Sequence, residues 1–241
     1  MANFELIFFI GADELACAAA SAWLDEIETA NRAGKTHCVA LSGGRITQKF
    51  FAATVGQAAS RKISFAHVHF FWADERCVPP TDPDSNFRLA NELLFIPLKI
   101  SETQIHRLRG EISPQAAVTI AEEELCQIAS PGKNNQPVLD LVFLGLGEDG
   151  HVASLFPNSG MKMLDTFVSF VVIENSPKPP PRRISLGYEA LKHADKIWVF
   201  ASGSGKDGAL RESLKPDGRT PLAQVIRLRA GTKIFSDIRM K

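Results

Sequence analysis

The sequence predicts an α/β protein of Rossmann-like type: one open, mostly parallel sheet flanked by helices. Three observations carry this. Continuous apolar runs of strand length, such as Leu139 to Gly145, fit strands buried on both faces. Segments of helical period with capping signals lie between them. Polar and titratable residues gather where the runs end, the place where open α/β sheets put a ligand crevice. At 241 residues, the chain reads as one domain over 1–241.

Taken in order, Phe4 to Ile10 is a first strand. Asp13 is placed to cap a helix whose apolar face is Ala16, Ala20, Trp23, Ile27 and Ala30, with Gly34 ending it. Thr36 to Leu41 is a buried strand that runs into Ser42-Gly43-Gly44-Arg45-Ile46-Thr47, and a helix follows from about Thr47 to Ala59. Phe65 to Trp72 reads as a central strand ending in Ala73-Asp74-Glu75-Arg76. Asp82 to Asn86 is a loop, and a helix from about Ser85 to Leu94 carries Arg88 near its start. Ser113-Pro114 opens a helix that runs to about Ala129 on Ala117, Ala121, Leu125 and Ile128.

Pro131 to Pro137 is a loop into the strand Leu139 to Gly145, whose end carries Glu148, Asp149 and His151 among Gly145, Gly147 and Gly150. Phe167 to Ile173 is a further strand, and Ser176 to Arg183 is a stiff, extended, basic segment whose prolines hold Lys178 at low entropic cost. Ile184 to Leu186 and Ile197 to Ala201 are short strands. Ser202 to Lys206 is a second glycine turn that opens a helix. Two final helical pieces and a strand around Lys233 to Phe235 close the chain.

Hydrophobic content of 45% and charged content of 22% are ordinary for a globular chain. Zero formal net charge argues against a nucleic acid or an anionic membrane held by bulk charge, so anion binding must come from a local cluster. Cys17, Cys38, Cys77 and Cys126 form no C-x-x-C pair and read as reduced, which suits the cytoplasm. The start of the chain lacks the basic and long apolar regions of a signal peptide, and no run is long enough to span a bilayer.

The chemistry lies at the strand ends. A strand, a glycine turn and a helix start at Ser42 to Thr47 aim backbone N–H groups and the positive helix end at an anion. Arg45 adds charge there, Ser42 and Thr47 hydroxyls. Lys178 and Lys206 converge on the same side, which suggests a phosphate site. His151, whose ordinary pKa is near neutral, is the natural general base among them. A plain turn with His151 as a cap or surface residue explains the same stretch structurally.

Other designs fail on spacing. Gly145 to Gly150 satisfies G-x-G-x-x-G, but Pro157, Asn158, Ser159 and Gly160 interrupt the helix that a dinucleotide site needs after its third glycine. Ser202 to Lys206 is not a phosphate-binding P-loop, since Phe200 stands at its first glycine and Asp207 follows the lysine. No G-x-S-x-G elbow exists, and His67 and His69 alternate on a strand without a zinc-site partner set.

The segments LSGGR, FFWADERCVPPTDPDSNFR, LGLGEDGHVASLFP and SPKPPPRRISL, in this order over residues 41 to 186, closely resemble the 6-phosphogluconolactonase family. The related glucosamine-6-phosphate deaminases share the fold and the glycine–His turn. Deaminase-like chains carry an aromatic after Asp-Glu and continue past the His toward Phe-Asn-Glu-Pro. Here Arg76 follows Asp74-Glu75, and Ala153 to Pro157 follows the lactonase pattern.

The resemblance implies hydrolysis of 6-phosphoglucono-δ-lactone to 6-phosphogluconate in the oxidative pentose phosphate route, without cofactor or metal. It implies His151 as the residue that activates water and Arg76 as the residue that steadies the oxyanion or substrate. The set expected to hold the substrate and its phosphate is Ser42, Gly43, Gly44, Arg45, Thr47, Asp74, Arg88, Asp149, Lys178 and Lys206. A cytoplasmic enzyme is expected, monomeric or weakly homo-oligomeric, with a small sugar-phosphate lactone as its partner.

Two departures stand out. Ile46 and Thr47 replace the Thr-Pro that the family often has after Ser-Gly-Gly-x, and Gly187-Tyr188 replaces a Thr-rich continuation. Two alternatives remain at this point: a deaminase-type isomerase, and a non-catalytic sugar-phosphate binder on the same fold, which would have no need of His151.

Overall fold

The computed structural model describes residues 3–157 and 168–239. In chain order the elements are β1 (Phe4–Phe8), α1 (Ala12–Ala33), β2 (His37–Leu41), α2 (Arg45–Arg61), β3 (Val68–Trp72) and β4 (Asp74–Arg76). Then come α3 (Asn86–Ala90), a π-helical turn at Asn91–Phe95, α4 (Ile96–Leu98), α5 (Pro114–Ile128), and the short pair β5 (Ser130–Pro131) and β6 (Pro137–Val138). The chain continues through β7 (Leu141–Gly145), β8 (Phe170–Ile173), β9 (Arg183–Leu186), α6 (Tyr188–His193) and β10 (Lys196–Ala201). It closes with α7 (Asp207–Leu214), α8 (Pro221–Leu228) and β11 (Thr232–Ser236).

Six strands form one sheet in the order β1-β11-β10-β7-β2-β3. Every pairing in it is parallel. β2 and β10 are almost wholly buried, as strands covered on both faces must be. Trp23 of α1 and Phe50 of α2 bring their rings to 5.1 and 4.9 Å from Phe143 of β7. Burying a ring of this size contributes about 1.5–3 kcal/mol, so this aromatic layer pins the strand that delivers the chain to the site.

The topology dictates where that site lies. From β2 the chain steps outward to β3, then returns to β7 on the opposite side of β2. The reversal opens a crevice beyond the carboxyl ends of β2 and β7. The Ser42 hydroxyl spans its floor, donating to the Phe143 carbonyl at 2.7 Å.

The structure also corrects several expectations. A second, antiparallel sheet, β4-β9-β8, stands beside the first. Its β4 is the Asp74-Glu75-Arg76 segment, which had no strand pattern to reveal it. Asp13 does not cap α1: Gly11 holds the cap position without a side-chain bond, and Asp13 pairs with Lys49 at 2.5 Å. Glu14 instead takes the Ile10 N–H at 2.7 Å. Helix α2 begins at Arg45 rather than Thr47.

The helix after Ser85 passes through a π-helical turn before it ends, and α6 was not foreseen. The expected loop from Pro131 to Pro137 closes as a two-residue strand pair. The strand expected from Phe167 begins at Phe170; Phe167, like Asn158, Ser159 and Gly160, lies outside the described residues.

Candidate active site

A cleft of about 550 Å³ opens at the crevice. Its walls are Ser42 to Ile46 after β2, Asp74 and Arg76 of β4, Asn86 of α3, and Gly145, Leu146, His151 and Ala153 after β7. Arg183 of β9 and Lys206 complete it. Six stretches far apart in sequence therefore meet at this one place.

Backbone donors and cations gather in the cleft. Gly44 caps α2 at φ 114°, a conformation open to glycine, so the free N–H groups of the first turn face the opening without a side chain over them. A side chain at Gly43 would collide with the Asn86 amide, so the turn can pack this closely only with glycine there. Arg45 is exposed at the start of α2. Burial holds the Lys206 ammonium below the usual lysine range, and the nearby Arg45 charge pushes the same way. Cations crowded against a positive helix end repel one another until an anion enters.

The two hydroxyls expected to help are committed elsewhere. Ser42 donates to Phe143, and Thr47, which does not line the cleft, donates to the Gly43 carbonyl at 3.0 Å. Their part is to hold the turn, since each spends its proton on a carbonyl.

His151 lines the same cleft, with its side chain 17% exposed. Its Nδ1 is hydrogen-bonded to Asp149 Oδ1. A carboxylate there accepts the Nδ1 proton, which leaves Nε2 as the basic nitrogen. Gly147 makes the pair possible, because a side chain on it would strike the imidazole. The ring also packs on Phe156, centroid to centroid 4.6 Å. Burial lowers the His151 pKa, and the Asp149 hydrogen bond and charge work against that shift. For Asp149, burial pushes upward, but the contacts with His151 and Lys178 hold the carboxyl below its ordinary value. Lys178 Nζ lies 3.9 Å from Asp149 Oδ1, which sets this lysine beside the His151–Asp149 pair although it does not itself line the cleft.

A buried polar network underlies the cleft wall. Asp74, 5% exposed, accepts from the Ser154 hydroxyl at 2.7 Å and from the Asn86 amide at 3.3 Å. Its carboxylate is thus tied to the scaffold of the cleft wall. Arg76 lines the cleft with its Nε buried and unbonded, while Nη1 reaches the Asp84 carbonyl. That Nε is a buried donor whose hydrogen bond is unmet by protein.

Arg88 is not brought to the cleft. Its guanidinium bonds to Glu92 at 2.8 Å and to the Thr81 carbonyl at 3.1 Å, satisfied within its own surface.

Three residues were missed from the sequence. Arg183 and Asn86 line the cleft, and Glu75 builds its wall. Glu75, 2% exposed, accepts the N–H groups of Arg76, Asn86 and Phe87 and the Ser85 hydroxyl, at 2.7 to 3.0 Å. It satisfies the open donors at the start of α3 from outside that helix. The one usable signal was its place inside the Asp-Glu-Arg triplet. Among the described residues, no group of three His, Cys, Asp or Glu side chains is placed to hold a metal, and no helix is long and apolar enough to cross a membrane.

A family model described as glucosamine-6-phosphate isomerases/6-phosphogluconolactonase matches residues 11–235. The 6-phosphogluconolactonase of Treponema pallidum is 32% identical over 76% of this chain and 75% of its own. That of Streptomyces coelicolor is 31% identical over 89% of this chain and 84% of its own. Among solved structures, the 6-phosphogluconolactonase of Thermotoga maritima superposes with a TM-score of 0.77 at 26% identity, covering 97% of each chain.

Proposed function

The chain belongs to the glucosamine-6-phosphate isomerase/6-phosphogluconolactonase family, and on that premise we propose that it hydrolyses 6-phosphoglucono-δ-lactone to 6-phosphogluconate. It acts as a hydrolase of the oxidative pentose phosphate route. The observation that carries this reading is the Asp149-paired His151 lining one cleft with Arg45, Arg76, Arg183 and Lys206.

The residues divide the work. The α2 N-terminus, Arg45 and Lys206 hold the phosphate, which sets the lactone ring toward His151. Nε2 of His151 takes a proton from water, and the hydroxide adds to the lactone carbonyl. The negative charge that develops on the carbonyl oxygen is met by the Arg76 guanidinium. When the ring C–O bond breaks, the departing oxygen takes the proton back from Nε2. Asp149 keeps the ring in the right tautomer and stabilises its charged form.

A lactone is an activated ester, so a base and cationic stabilisation suffice. Lys178, beside Asp149, adds positive potential where the oxyanion and phosphate charges gather. We place the enzyme in the cytoplasm, as a monomer or weak homo-oligomer.

The test compares phosphorylated and unphosphorylated gluconolactone, freshly generated and corrected for spontaneous opening. Charged hydrogen bonds contribute roughly 1.5–3 kcal/mol each, so loss of the phosphate should lower kcat/KM by at least about a hundredfold. Because remote binding energy also positions the ring, kcat should fall too. Equal turnover of the two lactones would refute the phosphate site.

A further inference from the structure

Among the described residues, Arg183 is the only Lys or Arg that is buried, at 4% exposure. It faces Arg76 across the β4–β9 pairing, and no carboxylate there pairs with it. A buried guanidinium without a direct ion pair, with Asp74, Asp84 and Glu75 acting on it only through space, is tolerated only when its donors are met. Here they are met by backbone. Nε donates to the Pro180 carbonyl at 3.1 Å, and Nη2 to those of Lys178 and Pro179 at 3.1 and 3.0 Å.

Ser176 braces the segment from within, accepting the Lys178 N–H at 3.2 Å and donating to the Lys178 carbonyl at 2.8 Å, and Arg183 is the side chain that grips it from β9. Pro177, Pro179, Pro180 and Pro181 carry no N–H, so it cannot join a strand ladder. On the opposite side, Nη1 reaches the Ser154 hydroxyl at 3.4 Å, three residues after His151. The Arg183 guanidinium also lies 5.6 Å from the Phe156 ring, the ring on which His151 packs. One side chain therefore touches both the strap that carries Lys178 and the turn that carries His151.

We propose that Arg183 is a positioning residue for the hydrolysis, fixing Lys178 against the His151–Asp149 pair by gathering three consecutive carbonyls of the strap. This rests on the lactonase reading given above. Without Arg183 the strap loses its common donor, and the ammonium now 3.9 Å from Asp149 is no longer held there. A displacement of about 1 Å at such a group costs on the order of a hundredfold in rate.

The experiment is a double-mutant cycle of Arg183→Met and Lys178→Ala, with a second readout that needs no turnover. If Arg183 acts through Lys178, Arg183→Met lowers kcat about 10- to 100-fold in the native background and less than about threefold in the Lys178→Ala background. In the folded free protein, the NMR titration of His151 moves to higher pH in Arg183→Met, because a cation that lowers it has moved away. Losses that multiply across the cycle, a native kcat in Arg183→Met, or an unmoved His151 titration would each overturn the proposal.

Should the Met variant not fold, Arg183→Lys takes its place in the cycle, keeping the charge but not the three-carbonyl reach. Failure of both to fold would also overturn it, making the residue purely structural. If the native chain does not hydrolyse the lactone above background, the functional reading fails, while the His151 titration still tests the link from Arg183 to Lys178.

Discussion

At the scale of single residues, the proposed chemistry turns on the protonation of His151. Burial lowers its pKa from the ordinary 6.5, and Asp149 only partly restores it. A lowered value keeps Nε2 free to accept a proton at neutral pH, and the base form is lost only as pH falls through that depressed value. The phosphate of the substrate titrates near pH 6 itself, so a pH–rate curve mixes two events. Read by NMR on the free protein, the imidazole should titrate with a midpoint below 6.5. A midpoint above about 7 would mean that Asp149 dominates and that His151 is largely charged where the enzyme must work.

At the scale of elements, the cleft wall depends on a carboxylate that takes no direct part in the reaction. Both oxygens of Glu75 accept two hydrogen bonds each, three of the four from donors at the entry to α3 and one from the Arg76 N–H of β4. Glu75→Gln would set an amide NH₂ against two of those donors, leaving them unsatisfied or repelled. Unmet buried donors cost about 1–3 kcal/mol each, so denaturant unfolding should show a loss of roughly 2–4 kcal/mol. A loss under about 0.5 kcal/mol would show that the turn into α3 does not depend on these bonds.

This element also marks where the sequence stopped being readable. Parallel strands announce themselves as apolar runs, and β2, β3, β7 and β10 were found that way, short of their exact ends. β4 is three charged residues whose partner, β9, lies far along the chain, so no local period reports it. Arg183 in a basic, proline-rich run looks like a solvent-facing cation. Its burial follows from the strap's lack of N–H groups, a consequence visible only once the strap has folded around it. Asn86 reads as a turn former, while its amide actually braces Asp74. Ser42 and Thr47 show the converse. Their hydroxyls suit an anion site by type, but nearby carbonyls claim the protons first.

At the scale of the whole molecule, a chain of zero formal net charge has no global field to draw in a doubly charged substrate. The topology supplies a local one instead. The reversal from β3 back to β7 brings strand ends together, and with them a helix N-terminus, three arginines, a lysine and a histidine. The central claim is that this cleft opens a phosphorylated lactone with His151 as its base. The most direct measurement is kcat for native and His151→Ala protein on freshly generated 6-phosphogluconolactone, with the spontaneous rate subtracted. The account predicts a loss of about a hundredfold or more in kcat with substrate binding largely kept. A His151→Ala variant that retained close to the native kcat would contradict it.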